Sequence, residues 1–116
     1  MKFARLIIQH RDSGVTVSIT ETTRERMRGL LGRDALARNE ALLLQSCRSV
    51  HTFGMHFAID VVFLDRLNRI VGIRHDVPKR RMHLSIRATQ TLEMAAGMAC
   101  LHRLAVGDEL VFGTTP

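Results

Sequence analysis

Apolar side chains recur at every second position in several short stretches of this chain, and turn-forming residues separate the stretches. The pattern is clearest where Val15, Val17 and Ile19 alternate with Thr16, Ser18 and Thr20, the period of a half-buried strand. Residues 3–9 form an earlier apolar run, and Asp12-Ser13-Gly14 between the two reads as a hairpin turn. Further strands are predicted over residues 41–44, 59–64, 69–77, 88–94 and 109–112. Pro78 closes the third of these, and Asp65-Arg66-Leu67-Asn68 supplies the turn before it.

Two short helices interrupt the strands. Thr22 and Glu25 have capping-box spacing, which predicts a helix to about Leu31 with Gly32 as its stop. Residues 96–104 have the composition of a second. Strands joined by short turns must pair antiparallel, so a parallel βαβ layout is disfavoured. The pattern predicts a mainly β fold (α+β at the margin): a small antiparallel β-sandwich or barrel, jelly-roll-like, with two short helices.

A length of 116 residues is that of a single domain, residues 1–116. No stretch approaches the roughly 20 apolar residues of a membrane-spanning helix. The N-terminal segment lacks the features of a secretory signal, so a cytoplasmic location is expected. Cys47 and Cys100 have no metal-motif spacing and read as free thiols. The net charge of +6 comes almost entirely from scattered arginines. Without interleaved aromatics, nucleic acid is disfavoured as a partner. The partner expected is a ligand or protein that the sequence does not specify, and nothing in it sets the oligomeric state.

Four segments carry a family resemblance. They are Glu25-Arg26-Met27-Arg28-Gly29-Leu30-Leu31-Gly32-Arg33; the stretch from Phe53-Gly54-Met55 through Ile59-Asp60 to Leu64-Asp65; Asn68-Arg69-Ile70-Val71 with Val77-Pro78; and Thr91-Leu92-Glu93-Met94-Ala95-Ala96-Gly97 with Val106-Gly107-Asp108-Glu109-Leu110. In this order, from about residue 15 to 112, they resemble the DUF192 family (domain of unknown function 192), a family of bacterial and archaeal proteins. The departures are modest. Ala58 stands where the family often has Pro, Asn68 replaces a turn Gly, Lys79 replaces a second Pro, and Met94-Ala95 replaces Leu-Pro. The resemblance implies a mainly β fold and no established activity.

The block from His51 to Asp65 holds most of the candidate chemistry. Asp60 begins an apolar strand, where a charge needs a partner. It is expected to cap loop amides or to pair with Arg28 or Arg33. With His51 it would make a catalytic acid–base pair. Cys47, His51 and Met55 offer soft donors that copper(I) or zinc select. His56 points away from them if the segment is extended. Glu93, between Leu92 and Met94, reads as an Arg partner across the sheet. Gly29, Gly107 and Asp108 read as structural. Lys79, Arg80, Arg81, His83 and Arg87 form the densest basic stretch, which reads as a solvated loop or an anion site.

No nucleotide, hydrolase or metalloprotease motif is present, and no cofactor is expected. The favoured reading is a non-enzymatic binding or accessory domain with a shallow site of Arg28, His51, Phe53, Met55 and Asp60. One alternative is a small hydrolase or metal-binding enzyme using Asp60 and His51. Another is an assembly partner in a bacterial surface or secretion machine, which exposed Met and Leu in one patch would favour.

Overall fold

The computed structural model describes residues 1–31, 33–52 and 55–113, with only the backbone of Val50 and His51. Among the described residues, nine strands and two helices follow in the order β1 (Lys2–Ile8), β2 (Arg11–Ile19), α1 (Thr23–Arg28), β3 (Glu40–Leu44), β4 (Ser49–His51), β5 (Ile59–Leu64), β6 (Ile70–Val77), β7 (Met82–Leu84), β8 (Gln90–Ala95), α2 (Met98–Leu101) and β9 (Leu110–Gly113). Seven strands make one sheet, ordered β6-β5-β8-β3-β2-β1-β9, and β4 and β7 make a separate ribbon.

The sheet curls until its two edges meet. Arg69, just before β6, bridges Glu109, just before β9, and the amides of Ile70, Gly107 and Leu110 complete this junction. The result is a mainly β half-barrel, as the pattern predicts. One pair departs from the antiparallel expectation: β2 and β3 are parallel. The segment between Ile19 and Glu40, carrying α1, is long enough to return the chain to the same end of the sheet.

Period-two alternation explains the two cores. All seven strands send side chains inward, among them Leu6, Val17, Leu43, Val62, Ile70, Leu92 and Leu110, and Met98 and Ala99 of α2 join them. The alternate positions of the central strands, Leu42, Leu44, Ile59, Val61 and Phe63, pack on the convex face under Leu30, Leu36, Met55 and Ala88. β5 is buried at every position because both its faces are covered.

Two local signals land differently from their reading. The turn between β1 and β2 is made by Gln9 and His10, both at positive φ. Asp12-Ser13-Gly14 is a bulge inside β2, where the register shifts. Asp12 Oδ1 accepts the Gly14 amide, and Ser13 Oγ donates to the Leu6 carbonyl and accepts the Val15 amide. The same turn chemistry serves a bulge as well as a hairpin. Helix α1 has the expected capping box but ends at Arg28, with Gly29 at φ 49°, ψ −124° as its C-cap. Gly32, the expected stop, lies outside the described residues. β4 and β7 were not expected: three residues each carry too short an alternation to register.

Candidate functional site: a cleft beneath the first helix

Two buried carboxylates lie on neighbouring strands, β5 and β8, where Asp60 pairs with Met94 and Val61 with Glu93. They are one position out of phase and so project to opposite faces of the sheet.

Asp60 faces the inner core. Its Oδ1 accepts the Asp76 amide at 2.8 Å and its Oδ2 accepts the Ala99 amide at 2.9 Å. Both donors need it. The β5–β6 register shifts between Ile59 and Val61, so a bulge leaves the Asp76 amide without a strand acceptor. Helix α2 begins at Gly97, which has no side chain to cap it, and Asp60 supplies the missing acceptor from another strand. Asp60 is therefore a structural carboxylate, with both oxygens committed. Arg28 and Arg33 do not reach it; Arg33 pairs with Glu40 at 3.2 Å.

Glu93 faces the convex layer, flanked across the sheet by Leu42 and Val61. It is 3% exposed. No described residue hydrogen-bonds or ion-pairs its carboxyl, and desolvation pushes its pKa up to about 7. The expected arginine partner is absent among the described residues, because the nearby guanidinium groups turn outward. Arg28 is exposed, and Arg26 donates to Thr23 Oγ1.

Above Glu93 lies a cavity of about 60 Å3 lined by α1 and the turn after it, including Arg28, Leu30, Leu44, Cys47, Met55 and Glu93. A groove of about 330 Å3 flanks it and shares Arg28, Gly29, Leu30 and Leu31. Gly29 roofs the cavity: a Cβ there would come within 3.9 Å of Glu93 Oε1. The floor is thus an acid with no partner among the described residues, the walls are mainly aliphatic and sulfur-bearing, and the rim is cationic.

The structure brings Arg28 and Met55 together and leaves Asp60 on the other face. The side chain of His51 and all of Phe53 lie outside the described residues. Cys47 and Met55 share the cleft, but the Cys47 thiol donates to the Ser49 carbonyl at 3.1 Å. Among the described residues, no three His, Cys, Asp or Glu side chains converge as a metal site would require. His56 is exposed. Gly107, at φ 99°, and Asp108, whose Oδ2 accepts the Ala105 amide, shape the turn into β9 and do not reach the cleft. That Glu93 would have no partner among the described residues was missed. The available signal was a lone Glu inside an apolar strand; that the facing positions Leu42 and Val61 carry no base is visible only in the register.

The family model described as DUF192, uncharacterised ACR, COG1430, matches residues 6–112. The chain belongs to this family. No curated protein matches the chain. Two crystal structures are similar to it. One is a protein of unknown function from Novosphingobium aromaticivorans, 14% identical with a TM-score of 0.79, the match covering 94% of this chain and 84% of that one. The other, from Sinorhizobium meliloti, is provisionally described as a transcription regulator; it is 20% identical with a TM-score of 0.81 over 95% of this chain and 92% of that one. At these identities the likeness is one of fold.

Proposed function

We propose that this DUF192 protein is a non-enzymatic binding module that holds a small amphipathic acid in the cleft beneath α1. The observation that supports the reading is Glu93. Glu93 has no partner among the described residues; a buried carboxyl left so is costly, and a ligand that hydrogen-bonds it recovers that cost. A protonated Glu93 donates to the ligand's acceptor, Leu30, Leu44 and Met55 contact its apolar part, and Arg28 at the rim attracts its negative charge. His51 and Phe53 stay in the proposed contact set on sequence grounds alone. Asp60 leaves it, because its oxygens already hold two amides. That commitment also weakens the enzyme alternative, which needs Asp60 as a free base.

The test is a titration of the 15N-labelled protein with hexanoate, followed by two-dimensional NMR, with hexanol as the uncharged comparison. Saturable shifts at Gly29, Leu30, Met55 and Glu93 are expected, stronger for hexanoate and lost in Glu93→Leu. Shifts that do not saturate, or that map to the Asp60 face, would remove the proposal.

A further inference from the structure

The ribbon of β4 and β7 exposes three large aliphatic side chains close together. Met82, Leu84 and Ile86 are 69%, 55% and 78% exposed and fall on alternate positions. Met82 and Leu84 share a face of β7. Ser85 donates to the Arg48 carbonyl and Ala88 to the Ser85 carbonyl, so Ile86 and Arg87 stand at the tip of a tied turn. Soluble domains tolerate single exposed aliphatics, but three in five residues form a patch.

The charge within the ribbon and its flanking segments is of one sign, as far as the exposed Asp76 that precedes Val77. Residues 41–59 and 77–92, which include both strands of the ribbon, contain no Asp or Glu. They contribute Arg48, Lys79, Arg80, Arg81 and Arg87, all exposed and none in an ion pair among the described residues. Nor is the basic segment a loose loop. Thr52, buried beneath it, donates its hydroxyl to the Pro78 carbonyl at 2.6 Å and accepts the Arg81 amide at 2.8 Å, and its own amide donates to the Arg81 carbonyl. The backbone that carries Lys79, Arg80 and Arg81 is thus fixed where it leads into β7.

We propose that this ribbon docks reversibly on an anionic lipid surface, with Met82, Leu84 and Ile86 entering the acyl boundary and the five cations lying over the headgroups. Charge complementarity selects the occupant. A bilayer with anionic lipid offers a continuous negative potential above an apolar layer, and it needs no matching shape. Nucleic acid would use the cations and leave the aliphatic stripe wet, and the ribbon strands have no Phe, Tyr or Trp on which bases could stack. A protein partner would need a ring of acids around a small apolar socket. The inference is independent of the Glu93 cleft.

The experiment is co-sedimentation of the full chain with vesicles of phosphatidylcholine, pure or containing roughly a third phosphatidylglycerol. Sedimentation with the anionic vesicles only is expected. Leu84→Ser/Ile86→Ser should weaken it by at least about tenfold, and Lys79→Glu/Arg87→Glu should abolish it. All four positions are exposed, and an unchanged melting temperature checks that each variant folds. No sedimentation, equal sedimentation with both vesicles, or sedimentation untouched by the Leu84→Ser/Ile86→Ser change overturns the proposal. So does duplex DNA binding that survives that change without vesicle binding. A concentration-dependent dimer that disappears in the same variant overturns it too, and makes a second copy the occupant.

Discussion

Asp60 and Glu93 are both buried acids in adjacent central strands, yet they face opposite sides of the sheet and opposite fates. Asp60 is surrounded by backbone amides that the fold itself leaves unpaired, at a bulge and at a helix start. Glu93 is surrounded by aliphatic side chains and a glycine. Burial alone does not distinguish structural from functional carboxylates. The partners do: a satisfied acid stabilises the fold, whereas an unsatisfied one destabilises it and so points to another use.

The strongest way to break the comparison is Asp60→Ala. It strands two buried donors and uncaps α2, and should cost about 3–5 kcal/mol in urea unfolding. Asp60→Asn, which keeps an acceptor but loses the charge, should cost about 1–3 kcal/mol. A loss under about 1 kcal/mol for the alanine would show that water or other groups replace Asp60.

Glu93 should behave in the opposite sense. Its folded pKa of about 7 lies above the ordinary value of 4.5. Between those values only the folded protein holds the proton, so stability is greatest on the acid side and declines as pH rises to about 7. Glu93→Gln should remove that slope and raise stability at pH 8 by roughly 2–3 kcal/mol. A wild-type unfolding profile that is flat from pH 5 to pH 8 would mean that Glu93 has a partner in solution.

Smaller changes sharpen the contrast by altering the roof over Glu93. Gly29 adopts a backbone conformation open to glycine and strained for other residues. Gly29→Ala should cost about 1–2 kcal/mol through that strain, since the space for a Cβ is ordinary contact. Thr22→Ala, which removes the α1 cap, should cost about 1 kcal/mol and leave the Asp60 face untouched. Amide hydrogen exchange reads both: faster exchange in Arg26 and Gly29, with Ala99 unchanged, is the expected pattern.

Much of the fold was legible because it rests on local rules. Alternation marks β2, and the apolar run of β5 has the same limits in the structure as in the pattern. The Thr22/Glu25 box starts α1 where its spacing says it should. Asn68 adopts φ 62°, the left-handed conformation that lets it replace a turn glycine. Legibility ended where a signal had two outlets, as at Asp12-Ser13-Gly14, and where an element was too short to show a period, as at β7.

The site was half legible for a related reason. Met55 and Arg28 could be picked out by residue type, and Asp60 as a buried charge in need of a partner. Which acid finds that partner depends on strand phase: one residue of register decides whether a carboxylate meets the amides of α2 or the aliphatic face under Gly29. By itself, the sequence determined the class of fold, the positions of most of the longer strands, the start of the first helix, and the family. The tertiary structure alone decided the parallel β2–β3 pair, the closure of β6 on β9, and the separation of Asp60 from Glu93. Those depend on distant segments meeting, and no local pattern encodes which ones do.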